Sequence, residues 1–370
     1  STGEGIINGK KFTITSNVLG ETREYWISLP DSYTDETNSY KRYPLMIVLD
    51  GPVFYQSFTG AVRLMSRNFN SSRQIPEMIV VAITNVNRER DFTPDKIVTK
   101  RPNNFGGGDK FLSFLEEELI PSLDKNYRTA PYRMLVGHSL GGLITMHAYM
   151  KQKTLFNAFI AIDPSMGSWD AQKMDEKLSK VTPVTYDRYL YMATANWGSR
   201  NFKNRDRQVR LYEGLHAKCR GDFHAEYEYF EDENHGSVPL PAFIHGIKSA
   251  FKGYGISYRE VSSFEQLQAH YGAISERLSY TFFPPEILVN RIGYNFLRSR
   301  NAEVQSGALN FFLLNTTNYP SSYNVFDSMG EAYAVLGDNK KAIESYQKSL
   351  ELNPDNENAE RMIKELKTNK

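Results

Sequence analysis

The sequence contains a single cysteine, Cys219, among its 370 residues. One cysteine excludes an intramolecular disulfide and a cysteine-rich metal site, and no metal or other cofactor is expected. The formal net charge is only +1, which gives no reason to expect nucleic acid or an anionic membrane surface as a partner. No apolar run approaches the length of about 18 residues that a membrane-spanning helix needs, so no integral membrane segment is expected.

The chain begins with STGEGI and has no initiator methionine. Such a start is typical of a processed or trimmed product, which is compatible with a removed signal peptide. A periplasmic or secreted location is therefore expected in preference to a cytoplasmic one.

The first 255 residues alternate short apolar runs with amphipathic helical patterns. This alternation predicts an α/β domain with a mostly parallel central sheet and helices on both faces. Two early runs alternate polar and apolar residues, which favours antiparallel strands at one edge of the sheet. The predicted strands are KFTIT, REYWISLP, YPLMIVLDG, PEMIVVAIT, YRMLVGHS, FNAFIAIDPS, DRYLYMATAN and HAEYEYFED.

The remainder of the chain has helical patterns only, and we predict a linker with a helix over 256–280 and a helical domain over 281–370. A unit of 34 residues that starts at Tyr323 resembles a tetratricopeptide repeat. Its matching positions are Gly330, Tyr333, Ala342, Tyr346 and Pro354. A degenerate copy precedes it, with Ala308, Phe312 and Pro320 each 34 positions before their counterparts and with Gly293 displaced.

One and a half repeats cannot bury their apolar faces alone, so they are expected to dock on another surface. The candidates are the first domain, where they would form a lid over the sheet edge, and a second subunit in a homodimer. A hypothesis of a different class is that these helices bind a partner protein and that the first domain is their scaffold.

The stretch LVGHSLGG places Ser139 between Gly137 and Gly141, after an apolar strand and before an amphipathic helix. A sharp strand-to-helix turn exposes a hydroxyl at the sheet edge, and glycines remove the Cβ atoms that would collide there. This is the G-x-S-x-G nucleophile elbow of serine hydrolases. We therefore predict that Ser139 is a nucleophile.

A serine hydroxyl needs a neighbouring base, which in this architecture follows the last strand in the chain order Ser, acid, His. His235 follows HAEYEYFED and is the predicted base. The acid is expected after RYLYMATAN, and the first carboxylate downstream of that strand is Asp206. Glu233, two residues before His235, is a weaker candidate.

An oxyanion hole needs two backbone N–H donors. Leu140, directly after the nucleophile, is expected to supply one of them. The other is expected from the loop after the third strand, LDGPVFYQSF, in which Pro52 has no N–H. Val53 is preferred to Gly51 because it lies further into the loop. Trp197 is predicted to contact the substrate, although it would equally serve to anchor its own loop.

Several stretches together resemble the putative-esterase branch of the α/β-hydrolases, over about residues 11–254. They are VLDG, NRERDFTP, GGGDKFLSFLEEELIPSLDKNYRT, LVGHSLGG and ENHGSVPL. That branch includes enterobactin-type siderophore esterases, feruloyl esterases, esterase D and the mycolyltransferases. The resemblance implies an α/β-hydrolase fold, Ser139 as nucleophile and His235 as base. The sequence departs from the pattern at the acid and at Pro52.

The expected function is that of a serine carboxylesterase that forms an acyl-enzyme and hydrolyses small-molecule esters with short to medium acyl chains. The alternative is a siderophore trilactone esterase of the enterobactin type.

Overall fold

The computed structural model describes residues 8–35, 38–39, 41–67, 73–96, 103–151, 154–182, 188–198, 202–218 and 224–368. Within these ranges the chain forms a single eight-stranded sheet, helices on both faces of the sheet, and a helical C-terminal region. The strands are β1 Lys10–Ser16, β2 Glu21–Ser28, β3 Tyr43–Val48, β4 Ile79–Ile83, β5 Thr129–His138, β6 Ala158–Ile162, β7 Tyr189–Ala195 and β8 Ala225–Phe230.

Eight helices accompany the sheet in the described part of the chain. They are α1 Gly51–Ser66, α2 Arg88–Phe92, α3 Gly108–Phe114, α4 Ile120–Asn126, α5 Leu140–Met150, α6 Ala171–Ser179, α7 Phe202–Lys218 and α8 Pro239–Ala250. A π-helical turn, Leu115–Leu119, joins α3 to α4. The remaining helices are α9 Phe264–Arg277, α10 Glu286–Leu297, α11 Ala302–Asn318, α12 Tyr323–Val335, α13 Asn339–Leu352 and α14 Glu357–Thr368. None of the helices in the described ranges is both long and apolar enough to cross a membrane.

The strand order is β1-β2-β4-β3-β5-β6-β7-β8. The β1–β2 and β2–β4 pairs are antiparallel and every other pair is parallel. This confirms the prediction from the sequence, because the polar-alternating strands form an antiparallel edge and the continuously apolar strands are covered on both faces. One core lies between the sheet, α1 and α8, and a second lies on the opposite face under α5.

The parallel strands all end at the same edge of the sheet. Ser139 follows β5, Asp163 follows β6, and His235 lies in the loop after β8. Asp50 and Gly51 follow β3 at the same edge. The topology therefore brings residues far apart in sequence to one place, as is usual for ligand sites in parallel α/β sheets.

The C-terminal helices dock on the first domain. The core around α1 and α8 continues into buried residues of α9, α10 and α11, including Leu267, Val289 and Phe311. Tyr280 and Phe282 pack against Tyr132, near the start of β5. This contact lies at the amino ends of the parallel strands, opposite the edge that carries Ser139. The helices are therefore not a lid over Ser139, and residues of the predicted linker are part of the shared core.

The two predicted repeats are built alike. A Cβ at Gly330 of α12 would lie 2.9 Å from the ring of Tyr346 in α13, so glycine is needed for the two helices to approach. Gly293 of α10 has the same relation to Phe312 of α11, at 2.8 Å. Gly293 therefore has the same packing role as Gly330. It lies about one helical turn before the position at which the 34-residue period would place it.

Replacement of Phe311 by alanine tests how tightly the helices after the first domain pack on one another. Phe311 is fully buried between Phe264 and Phe296, so the truncation is expected to lower the free energy of unfolding by about 3–5 kcal/mol. Leu313→Ala, on the same helix but 45% exposed, is the matched control and is expected to cost less than about 1 kcal/mol. Urea unfolding followed by circular dichroism measures both, and equal losses would contradict the packing of Phe311 between these helices.

Candidate active site

Ser139 lies in the turn between β5 and α5 with a backbone φ of 60° and ψ of −119°. Gly137 and Gly142 are the glycines that this geometry needs. A Cβ at Gly137 would lie 2.1 Å from the carbonyl oxygen of Gly141, and a Cβ at Gly142 would lie 3.0 Å from that of Ile162. The predicted elbow is therefore confirmed as a conformation, and the glycines allow α5 to pack closely on β5 and β6.

The Ser139 hydroxyl and the His235 imidazole meet, as predicted from the sequence. Nε2 of His235 lies 3.1 Å from Oγ of Ser139. Nδ1 of His235 lies 2.6 Å from Oδ2 of Asp163. Because Asp163 is a carboxylate that accepts, the proton is assigned to Nδ1, and Nε2 is left as an acceptor for the serine hydroxyl. This arrangement can remove a proton from Ser139.

The prediction that Asp206 is the acid is wrong, because the carboxylate bonded to His235 belongs to Asp163. Asp206 lies on the exposed face of α7. Neither Asp206 nor Glu233 is hydrogen-bonded to His235 within the described ranges. The acid follows β6, the immediate neighbour of the nucleophile strand, instead of β7. The sequence signal for it was the aspartate directly after the apolar run FNAFIAI.

Asp163 is completely buried, and in the described ranges its carboxylate only accepts hydrogen bonds. Oδ1 accepts from the Ala195 N–H at 3.2 Å and from Nε2 of Gln208 at 3.0 Å. Burial alone would raise the pKa of this carboxyl, but the hydrogen bonds from His235 and Gln208 hold the pKa below its ordinary value of 3.8. Asp163 is thus ionised at neutral pH, in a position to stabilise a positively charged His235.

Trp197 supports the same carboxylate. Its indole Nε1–H donates to Oδ2 of Asp163 at 2.8 Å, and its ring lies 4.5 Å from the His235 ring. The structure therefore gives Trp197 the anchoring role that the sequence left open. Its contact with a substrate stays a prediction.

Two backbone N–H groups lie at the start of helices that begin at the sheet edge of Ser139. Those of Leu140 and Gly51 stand at the first positions of α5 and α1, where a helix has no acceptor for them, and no acceptor is found in the described ranges. A Cβ at Gly141 would lie 3.5 Å from Cβ of Leu49, so the end of β3 touches the elbow. The preference for Val53 is wrong, because its N–H donates to the carbonyl of Asp50 at 2.9 Å.

Asp50 fixes the backbone that carries Gly51. It is buried and has a left-handed φ of 55°. Its carboxylate accepts from Nε and Nη2 of Arg88, at 2.6 and 2.9 Å, and from Asn85 at 2.6 Å. Asn85 lies in the loop after β4, and Arg88 is the first residue of α2. This charge-assisted clamp offsets the strain of the left-handed backbone.

Two further residues, which the sequence did not identify as site residues, complete the site. Oγ of Ser165 lies 2.9 Å from Oγ of Ser139. Because the Ser139 proton points to His235, the Ser165 hydroxyl is the donor in this pair. Nε2 of His138 donates to the carbonyl oxygen of His235 at 2.9 Å and holds the loop that carries the imidazole. In the part of the chain that the structure describes, no group of three His, Cys, Asp or Glu side chains is placed to hold a metal ion.

The environment of His138 implies that the stability of the fold depends on pH. Burial and the neighbouring His235 lower the pKa of His138 from 6.5 to about 4. The unfolded chain therefore takes up this proton first, and the contribution of His138 to stability is lost as the pH falls from about 6.5 to about 4. NMR titration of the imidazole should give a midpoint near pH 4 in the folded protein and near 6.5 in urea. Equal midpoints in the two states would contradict this assignment.

Comparison with known proteins places this chain among esterases. The family described as "Putative esterase" matches residues 16–222, and a tetratricopeptide repeat matches residues 328–356. Ferri-bacillibactin esterase BesA of Bacillus subtilis is 28% identical over 222 residues, which cover 55% of this chain and 76% of that protein. The siderophore triacetylfusarinine C esterase of Aspergillus fumigatus is 27% identical over 170 residues, and the match spans 56% of its length.

A solved structure extends the likeness to most of the chain. An IroE-like serine hydrolase from Shewanella oneidensis superposes with a TM-score of 0.73 at 27% identity, over 84% of this chain and 99% of that one. The BES protein of Bacillus cereus, at 23% identity and a TM-score of 0.57, shares the fold. Because the family match covers more than half of the residues, the chain belongs to the "Putative esterase" family of ester-hydrolysing enzymes.

Proposed function

We propose that the chain is a serine carboxylesterase in which Ser139, His235 and Asp163 act as a triad. The observation that carries this proposal is the position of the His235 imidazole, 3.1 Å from the Ser139 hydroxyl and 2.6 Å from the Asp163 carboxylate. This is the constellation in which a weak nucleophile is activated by a base that a buried acid orients.

In the proposed reaction, Oγ of Ser139 attacks the ester carbonyl carbon while Nε2 of His235 takes the hydroxyl proton. The tetrahedral intermediate collapses, the ester C–O bond breaks, and His235 returns the proton to the leaving alcohol. A water molecule, deprotonated by His235, then attacks the acyl-enzyme and releases the carboxylic acid and free Ser139. Asp163 keeps the proton on Nδ1 and stabilises the imidazolium of each step.

The N–H groups of Leu140 and Gly51 are the proposed oxyanion hole. Both are unused in the described ranges, and both stand at the start of a helix, where the helix dipole also favours negative charge. The Asp50–Arg88 clamp keeps Gly51 in place before the substrate arrives, so the donors need no rearrangement during the reaction.

For the substrate, we propose a bulky siderophore-type ester in preference to a short-chain acyl ester. The sheet edge that carries Ser139 and His235, called the triad edge below, has large apolar side chains at or near the starts of the helices that begin there. Each is at least 40% exposed: Val53, Val86, Phe202 and Leu240. Such a rim suits a large ligand with apolar or aromatic groups. Relatives described as siderophore esterases support the same class. The exported location, the homodimer and the partner-binding role of the repeats stay predictions.

Replacing each of the two candidate acids by asparagine in turn distinguishes the triad proposed here from the one expected from the sequence. Asp163→Asn should lower kcat by about 10⁴, because the imidazole then adopts the wrong tautomer. Asp206→Asn, at an exposed position of α7, is the matched control and should leave kcat within about twofold of that of the original chain. Hydrolysis of p-nitrophenyl butyrate measures both variants. Loss of activity in Asp206→Asn with activity retained in Asp163→Asn would reject the assignment.

The apolar rim makes a separate prediction about the substrate. Val86→Ser should lower kcat/KM for an enterobactin-type trilactone by about three- to tenfold, because a contact of about 1 kcal/mol with a bulky substrate is lost. It should leave kcat/KM for p-nitrophenyl acetate unchanged, because that ester is too small to reach the rim. Val335→Ser, similarly exposed at the end of α12, is the control. Equal effects on both substrates would argue against a bulky substrate.

A further inference from the structure

A second concave site lies at the opposite end of the sheet from Ser139, where the C-terminal helices meet the first domain. It has a volume of about 260 Å³ and we call it the junction cavity. The first domain contributes Lys41 and Arg73, and the C-terminal part contributes Tyr280, Phe282 and Asn318. Lys41 precedes β3, whereas the triad edge is at the other end of that strand. Six residues of strand separate the two sites by about 20 Å.

The junction cavity has an excess of positive charge. Among the described lining residues, three are cations, Lys41, Arg42 and Arg73, and one is an anion, Glu77. Glu77 is nearly buried and pairs with Nζ of Lys41 at 2.7 Å and with Nη1 of Arg73 at 3.0 Å. The one carboxylate therefore offsets one of the three cations, and the remaining positive charge favours an anion over a neutral molecule of the same size. A dianion would meet more repulsion from Glu77.

The remaining wall is aromatic. Tyr254 and Phe282 are buried in it, Tyr280 is half-buried, and Phe283 is 53% exposed at its rim. The volume equals that of about eight or nine water molecules in the liquid, which is enough for a single aromatic ring with one substituent. Apolar walls with a few convergent polar groups are the usual composition of a small-molecule site.

We propose that the junction cavity binds an aromatic monocarboxylate. Its carboxylate would lie beside Lys41, Arg42 and Arg73. Its ring would pack on Tyr280, Phe282 and Phe283. Because the ligand contacts both regions of the chain, its binding stabilises their docked arrangement by mass action. This site is independent of the esterase reaction, and its test does not require hydrolytic activity.

Isothermal titration calorimetry of the full chain with sodium benzoate, at constant ionic strength, tests the proposal. Benzoate should bind one site, and benzamide, which has the same size without the charge, should bind at least tenfold more weakly. Asn318→Asp adds a second carboxylate to the lining at nearly constant shape and should weaken benzoate binding at least tenfold. Asn310→Asp, the same change at an exposed position of α11, should leave the affinity within twofold.

Phe283→Ser is a second variant, chosen at an exposed position so that the fold is preserved. It should lower the affinity for benzoate by about three- to tenfold and leave the affinity for acetate unchanged. Benzoate that binds Asn318→Asp as tightly as the original chain would place the ligand elsewhere, for example beside Ser139, and would overturn the proposal. Benzamide binding as tight as that of benzoate, or no heat with benzoate, would also overturn it.

Discussion

The His235 imidazole is held between the Ser139 hydroxyl and the Asp163 carboxylate, and the rest of the molecule is arranged around that pair of hydrogen bonds. The three residues follow three different strands of one sheet. Only the parallel order β5-β6-β7-β8 places those strand ends at a common edge. The buried, ionised Asp163 fixes the proton on Nδ1, and the other ring nitrogen is thereby left free to accept from the serine.

The same edge concentrates the backbone strain of the molecule. Four non-glycine residues in the described ranges have positive φ, and three of them, Asp50, Ser139 and Asp163, follow β3, β5 and β6. Each is held by hydrogen bonds that outweigh the strain: Arg88 binds Asp50, Ser139 is bound through its backbone to Ile162, and His235 binds Asp163. Strained backbone at a site is typical of preorganised chemistry. Here it directs a hydroxyl, a carboxylate and two N–H donors to one point.

The order of elements, the antiparallel edge, the elbow at Ser139 and its meeting with His235 could all be predicted, because each depends on local periodicity or on glycines that a tight turn requires. The acid could not be predicted from chain order, since Asp163 is selected by the adjacency of β6 to β5 and by loop geometry that the sequence does not encode locally. The choice of Val53 failed for a related reason. A longer loop was expected here, but α1 begins directly at Gly51. The Val53 N–H is therefore hydrogen-bonded within the first turn of the helix, to the carbonyl of Asp50.

The most direct test of the account is the rate at which a fluorophosphonate modifies Ser139, followed by intact-mass measurement and peptide mapping. The reagent forms its covalent bond only with a serine whose proton can be taken by a base. One adduct per chain is expected, on Ser139, and its rate of formation should fall by about 100-fold or more in His235→Gln. An adduct on another residue, or modification of Ser139 at the same rate without His235, would contradict it.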